Sequence, residues 1–67
     1  MKIKFETMDN TILEGYEITT IELNKIARNK CKGLTYLMNV MSAEDGNNTV
    51  YMWFKDDDTD TSYFVEI

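Results

Sequence analysis

The chain has one cysteine and no histidine in its 67 residues, so packing has to supply nearly all of its stability. Cys31 has no partner for an intrachain disulfide, and composition excludes a zinc site made of thiolate and imidazole ligands. A domain of this length buries only about 60% of the surface that its unfolded chain exposes. We therefore expect one domain, residues 1–67, whose stability is supplemented by a second copy or by a partner.

A single free cysteine is typical of proteins in a reducing compartment. Polar residues interrupt the first five positions, so no secretory leader is predicted there. The longest apolar run is 50–54, which is far too short to cross a membrane. We expect a cytoplasmic protein that does not contact membranes.

Hydrophobic periodicity predicts five strands and one helix. Residues 2–6 and 12–18 form a hairpin, in which Gly15 is expected to mark a bulge. Thr19 and Glu22 fit a capping box, so a helix is predicted from about Thr20 to Lys32, closed by Gly33. Residues 34–42, 49–55 and 61–67 then form a meander. The predicted fold class is α+β, a small single domain of order ββαβββ, with an antiparallel sheet and one helix packed on one face.

Residue parity divides the apolar residues of the meander between two faces. The face expected to pack on the helix carries Tyr36, Met38, Val40, Val50, Met52, Phe54, Tyr63, Val65 and Ile67. The opposite face carries Leu37, Met41, Tyr51, Trp53 and Phe64. One helix cannot cover both faces, so the first hairpin covers the second face or that face is an interface, most simply a homodimer.

The composition argues against an enzyme. Without histidine, neither a Ser-His-Asp nor a Cys-His arrangement can form. The three glycines are scattered and no phosphate-binding loop motif occurs. We predict a non-enzymatic protein with no cofactor and no dedicated metal site.

Acidic residues cluster in two predicted turns. The main run consists of Asp56, Asp57, Asp58 and Asp60, and the smaller one of Glu44 and Asp45. The main run has the opening spacing of an EF-hand loop, but Thr61 replaces the required glycine and Ile67 the bidentate glutamate. Weak cation binding there is an open alternative to a solvated turn.

The net charge of −5 disfavours direct binding to nucleic acid and favours a basic partner. Outside residues 21–32 there are eleven acids and three bases. In size and charge the chain resembles the small acidic proteins with which phages disable host factors, a likeness of surface charge that covers no particular residues.

Our leading hypothesis is an inhibitor that acts as a DNA mimic: its carboxylates occupy the basic surface of a DNA- or RNA-binding protein. The alternative is a protein–protein interaction module, or a homodimeric accessory protein, that binds through the apolar face around Trp53.

Overall fold

The computed structural model describes residues 2–30, 33–46 and 48–67. The elements in chain order are β1 (Lys2–Glu6), β2 (Ile12–Glu17), α1 (Thr20–Arg28), β3 (Thr35–Ser42), β4 (Val50–Asp56) and β5 (Thr61–Glu66). Each strand lies within one residue of the segment that the alternating pattern predicts. Local patterning therefore places the strands correctly.

Helix α1 begins where the capping pattern predicts. The hydroxyl oxygen of Thr19 accepts a hydrogen bond from the backbone N–H of Glu22 (3.2 Å), as expected of an N-cap. The helix is shorter than predicted, because Asn29 is its C-cap rather than Gly33. Residues 31–32, which the prediction included in the helix, lie outside the described part of the chain.

The predicted fold class is wrong, because the five strands close into a barrel. Their order is β1-β2-β5-β4-β3, and β3 pairs back onto β1. The sheet is mixed, since β2 and β5 run parallel with Tyr16 opposite Tyr63. The first hairpin thus supplies two of the barrel walls. The strands themselves bury the interior face, so the fold does not need a helix to cover it.

Aromatic side chains fill the barrel interior. Phe5 and Phe64 are fully buried and stack with ring centroids 3.6 Å apart. Tyr51 meets Phe5 edge-on at 4.8 Å, and Ile3 and Val40 complete the buried cluster. Burying one such side chain stabilises a fold by about 1.5–3 kcal/mol, and an aromatic pair adds about 1 kcal/mol. This cluster is the main source of stability in the described chain.

Helix α1 lies outside the barrel and has no fully buried residue. Val65 is buried but does not belong to the interior cluster, and it alternates with the inward-facing Phe64. Val65 therefore points outward, on the strand that α1 contacts. Most of the residues expected beneath the helix are not buried there: Tyr36, Met38, Val50 and Ile67 are exposed, and Val40 is in the barrel interior.

A β-bulge in β3 changes which residues face inward. The register of β3 against β4 shifts between Tyr36 and Met38. Before the bulge Tyr36 pairs with Phe54, and after it Met38 pairs with Trp53. The extra residue turns Met38 and the residues that follow it to the side opposite the one that strict alternation predicts.

Gly15 does not form the bulge that the sequence suggests, because the register of β1 and β2 is continuous through it. Its role is to let another side chain approach the backbone. A β-carbon at this position would lie 2.7 Å from the carbonyl oxygen of Ser62 and closer still to the Phe64 ring. Glycine is therefore required here because the stacked Phe64 ring occupies the space.

We expect Gly15→Ala to lower the free energy of unfolding by about 3 kcal/mol, because the new methyl group displaces a fully buried ring. Gly33→Ala is the matched control, since apart from its chain neighbours no described residue lies within 4 Å of the added methyl group. Urea unfolding of both variants measures the difference. Equal stability of the two variants would show that the Phe64 ring does not depend on this glycine.

The hydroxyl of the buried Tyr51 side chain links β4 to the end of β2. It donates a hydrogen bond to a carboxylate oxygen of Glu17 (3.1 Å). Burial, together with this bond, raises the pKa of Tyr51 to about 12. The fold therefore favours the neutral hydroxyl, whereas the same tyrosine in the unfolded chain ionises near its ordinary value of about 10.

This pKa difference predicts a loss of stability at high pH. Between about pH 10 and about pH 12 the unfolded chain releases the Tyr51 proton and the folded chain keeps it, so stability falls as pH rises. Tyr51→Phe lacks this titration, so its free energy of unfolding should fall less over the same window. Denaturant unfolding across the window measures both proteins. Tyr36→Phe, which removes an exposed hydroxyl, is the control, and parallel curves for Tyr51→Phe and wild type would contradict the assignment.

Candidate functional site

The barrel is incompletely closed between β1 and β3. Within the described residues, their register pairs are limited to Phe5 with Ser42 and Glu6 with Met41, and one further backbone bond runs from the N–H of Ala43 to the carbonyl of Lys4 (3.1 Å). Beyond those pairs they separate toward the β1–β2 turn and leave a pocket of about 560 Å³. We call this pocket the barrel mouth. Its lining residues are Thr7, Met8, Asp9, Thr11, Leu13, Met38, Asn39 and Trp53.

The floor of the barrel mouth is continuous with the core. Leu13 and Trp53 both pack against the buried cluster. The indole N–H of Trp53 donates to the hydroxyl of Ser62 (3.0 Å), and its ring lies nearly parallel to that of Phe64 with centroids 6.3 Å apart. The indole is thus held in place with its one donor satisfied, and what it offers to a ligand is apolar surface.

Two methionines border this floor. Met8 is 90% exposed at the β1–β2 turn, and Met38 is also exposed on the facing strand. Methionine is unbranched and its sulfur is polarisable, so these side chains can adapt to ligands of different shape. The site combines a fixed aromatic floor with adaptable walls.

The charge of the barrel mouth comes from Asp9. The hydroxyl of Thr7 donates to the Asp9 carboxylate, and this bond, with a further one from Thr11, lowers the pKa of Asp9. The group is therefore a carboxylate at neutral pH. The described lining residues include no basic side chain, so the pocket is suited to apolar groups and cations and repels anions.

The opening of the barrel also leaves part of β3 without a neighbour. Within the described residues, β1 pairs with β3 only at Ser42 and Met41, so residues 35–39 have no strand beside them on the side away from β4. Tyr36, Leu37 and Met38 along this stretch are 49%, 40% and 44% exposed. We call residues 35–39 the open edge of β3.

The acidic run 56–60 is divided between structural and exposed carboxylates. Asp56 is buried and pairs with the Lys30 ammonium group. Its carboxylate also accepts hydrogen bonds from the Asp58 backbone N–H (3.1 Å) and the Thr59 hydroxyl (2.9 Å). Asp56, which the sequence predicts to face a partner, is therefore turned inward: it organises the β4–β5 turn and ties the segment after α1 to the barrel.

The other three aspartates of this run are exposed. Asp57 accepts a hydrogen bond from the hydroxyl of Thr35 (3.2 Å) at the start of β3. Asp60 pairs with Lys55 (2.7 Å), and this contact raises the pKa of Lys55. Asp58 is also exposed, with its backbone N–H bonded to the carboxylate of Asp56. The surface charge of this turn thus comes from three carboxylates rather than four.

Glu44 and Asp45 lie in the β3–β4 turn, at the other end of β4. The seven residues of β4 span about 20 Å, so the two acidic turns do not merge within one protomer. Glu44 accepts from the backbone N–H of Lys4 (3.2 Å). Asp45 accepts from the hydroxyl of Thr49 (2.5 Å), a bond that lowers the pKa of its carboxyl group. Both are exposed, but Asp45 also stabilises its own turn and Glu44 connects that turn to β1.

The five residues of the predicted apolar interface do not share a surface. Tyr51 and Phe64 are buried in the barrel interior, and Trp53 forms the floor of the barrel mouth. Leu37 lies at the bulge, and Met41 is half-buried on the outer side next to the inward-facing Val40. There are two physical reasons. Barrel closure turns Tyr51, Trp53 and Phe64 toward the interior, and the bulge separates the β3 residues Leu37 and Met41 from the parity of β4 and β5.

Sequence reasoning therefore missed Met8, Leu13 and Met38 as site residues. The sequence places Leu13 in the first hairpin without a site role, and Met38 on the face expected to pack on the helix. An exposed methionine in the β1–β2 turn was the available signal for Met8, whereas no glycine or proline marks the bulge that brings Met38 beside Trp53.

A row of aromatic residues crosses the outer surface of the barrel. Tyr16, Tyr63, Phe54 and Tyr36 are register partners on four successive strands. Ring centroids are 6.2 Å apart in the first pair and 5.5 Å in the last, and the ammonium group of Lys2 lies 5.5 Å from the Tyr16 ring. The row thus consists of two ring pairs, Tyr16 with Tyr63 and Tyr36 with Phe54, on adjacent strands of the outer surface.

The described residues contain no group of three or more Cys, Asp or Glu side chains arranged to hold a metal ion. In the run 56–60 the first carboxylate turns inward to Lys30, away from the position that calcium ligation would need. No helix in the described chain has the length and apolar character needed to span a membrane.

No family model matches the chain, and no curated protein and no solved structure matches it significantly.

We expect Asp56→Ala to lower the free energy of unfolding by about 2 kcal/mol, because it removes two turn hydrogen bonds and the partner of Lys30. Asp57→Ala, one position away but exposed, should change stability by less than about 0.5 kcal/mol. Urea unfolding compares the two variants. Equal losses would show that Asp56 does not organise the turn.

Proposed function

We propose that this chain is a non-enzymatic binding protein that holds an apolar side chain of a basic partner protein in the barrel mouth. The observation that carries the proposal is the pocket itself, in which exposed methionines surround a fixed Trp53 floor. The mouths of β-barrels are common ligand sites, and a volume of about 560 Å³ is within the usual range for them.

The residue types in the pocket support a protein partner. Tryptophan dominates the binding energy of many protein interfaces, and methionine is enriched where a surface adapts to its ligand. The indole N–H is already bonded to Ser62, so a ligand has no polar group to satisfy on the floor. An apolar side chain that enters the mouth displaces water from the apolar floor, and removing apolar surface from water favours binding.

The charge of the chain supports a basic partner. The net charge is −5, and the Asp9 carboxylate belongs to the pocket lining. Opposite charge raises the rate of encounter and suppresses binding of acidic proteins. An apolar side chain flanked by lysine or arginine complements both the apolar pocket and the negative charge around it.

The hydrogen bonds made by the two serine hydroxyl groups agree with a non-catalytic role. The Ser42 side chain is buried and its hydroxyl oxygen accepts from the backbone N–H of Glu44 (3.3 Å). The Ser62 hydroxyl accepts from Trp53. Both hydroxyl groups serve the fold, and the chain has no histidine to act as a base beside them.

A second candidate function is inhibition by nucleic-acid mimicry, in which the chain occupies the basic surface of a DNA- or RNA-binding protein as phage antagonists of host factors do. The observation that favours it is the exposed group Asp57, Asp58 and Asp60 at one end of the barrel. Asp56 does not take part in this version of the mechanism, because it is buried.

Capture of partners from a bacterial lysate, with quantitative mass spectrometry, separates the two functions. We expect Met38→Glu to reduce capture of the partner at least tenfold, because it places a carboxylate in the apolar wall beside Asp9. Ile21→Glu is the matched control: it adds the same charge at an exposed apolar residue of α1 that is not in the mouth. Thermal unfolding of each variant checks that the fold is kept.

The combined substitution of Asp57, Asp58 and Asp60 by Asn tests mimicry in the same assay. A partner that is lost with this variant, retained with Met38→Glu and displaced by duplex DNA would replace the barrel-mouth proposal by the mimicry proposal. A partner lost equally with Met38→Glu and Ile21→Glu would contradict a specific role for the mouth.

A further inference from the structure

We infer that the partner binds as an extended strand along the open edge of β3, places alternate apolar side chains in the barrel mouth, and carries lysine or arginine on either side of them. This inference rests on the proposed function and adds to it the conformation and chemical class of the bound segment. It joins two features that lie side by side, an unpaired strand edge and an apolar pocket.

The open edge provides backbone hydrogen-bonding groups. Residues 35–39 pair with β4 on one side, and on the other side the described chain places no strand beside them. Each unpaired N–H and C=O of such an edge can join a peptide in the way that strand addition does in other proteins. The register shift at Leu37 gives this edge a bend instead of a long flat template.

The pocket lies where a strand added to this edge would place its side chains. Met38 and Asn39 belong both to the open edge and to the lining of the barrel mouth. A strand added to an edge lies about 4.8 Å away, and its alternate side chains point to the same face, about 6.6 Å apart. Every second side chain of the added strand would therefore be directed toward Trp53 and Leu13, and the residues between them toward solvent.

Carboxylates border the edge, whereas the edge itself has no charge. Residues 34–41 contain no acidic or basic side chain. Asp57 bonds to Thr35 at the start of β3, and Glu6 lies opposite Met41 near its end. With Asp9 at the mouth, carboxylates lie near both ends of the edge, and Lys55, the base opposite Thr35, is paired with Asp60. A segment with an apolar centre and basic flanks complements this arrangement.

The same charges disfavour a second copy of the chain as the occupant. Two copies joined at this edge would bring together two proteins of net charge −5, with the bordering carboxylates close to one another. The bordering carboxylates attract a basic segment, whereas they repel a second copy of this acidic chain. We therefore assign the edge to a basic partner, and self-association is an outcome that the test can reveal.

The probe is a synthetic peptide of about ten residues in which valine or leucine alternates with lysine, which is long enough for one strand. Trp53 is the only tryptophan and forms the mouth floor, so its fluorescence reports occupation of the pocket. Hydrogen exchange of the backbone amides, followed by NMR, reports pairing at residues 35–39. We expect a fluorescence change together with at least tenfold slower exchange of the amides that point away from β4.

Two control peptides isolate the two parts of the recognition. N-methylation of alternate backbone nitrogens removes the hydrogen bonds to β3 and keeps the side chains, and we expect it to weaken binding about tenfold. Replacement of every lysine by glutamate reverses the charge, and we expect no binding at the concentrations at which the parent peptide saturates.

The outcomes distinguish this inference from the proposed function. Equal binding of the parent and N-methylated peptides, both lost with Met38→Glu, would overturn the edge pairing and leave the mouth as the site. Parent binding that protects residues 35–39 but is unaffected by Met38→Glu would support the edge and contradict the mouth.

A failure of the parent peptide to bind would overturn the inference. Protection of residues 35–39 that appears without peptide and grows with protein concentration, together with dimers in sedimentation, would assign the edge to a second copy instead.

Discussion

The stacked pair of Phe5 and Phe64 is the contact on which the rest of this fold depends. It joins β1 to β5, which are not neighbours in the barrel, by placing one ring from each in the shared interior. Gly15 on the intervening strand gives the Phe64 ring the space it occupies. Closing the strands around this pair buries the aromatic cluster without help from α1. The helix can therefore remain on the outside, held to the barrel before its first turn by the bond from the Ile18 N–H to the Phe64 carbonyl and after its last turn by the pair between Lys30 and Asp56.

The candidate site follows from a mismatch in strand length. β1 has five residues and β3 has eight, so β3 continues past the point where its pairing with β1 stops. The β1–β2 turn, held by bonds between Thr7, Asp9 and Thr11, crosses the resulting gap without closing it. An opening made in this way exposes both the apolar interior around Trp53 and the backbone of one strand. The pocket and the strand edge are thus two results of one cause.

Local patterns in the sequence were sufficient to place each element. The capping pair Thr19 and Glu22 located the start of α1, and alternation located the strands. They could not predict closure, because the parallel pairing of β2 with β5 joins segments separated by most of the chain. Nor could they predict the bulge at Leu37, which has no glycine or proline to mark it. That one residue explains why Met38 was assigned to the wrong face. The burial of Asp56 was equally hidden, since it depends on Lys30 from a distant segment.

The parallel pairing of β2 with β5 has a consequence for how the chain folds. The first hairpin is complete by residue 17, yet the ring that Phe5 stacks on belongs to residue 64. Until β5 is in place, Phe5 and Leu13 have little apolar surface to pack against, and a lone hairpin has marginal stability in water. Folding must close a loop of nearly the whole chain before its main contacts form, which makes the process slow for so small a domain and strongly cooperative. While β5 is still inside the ribosome, the nascent chain would expose the side chains of Phe5 and Leu13 to chaperones.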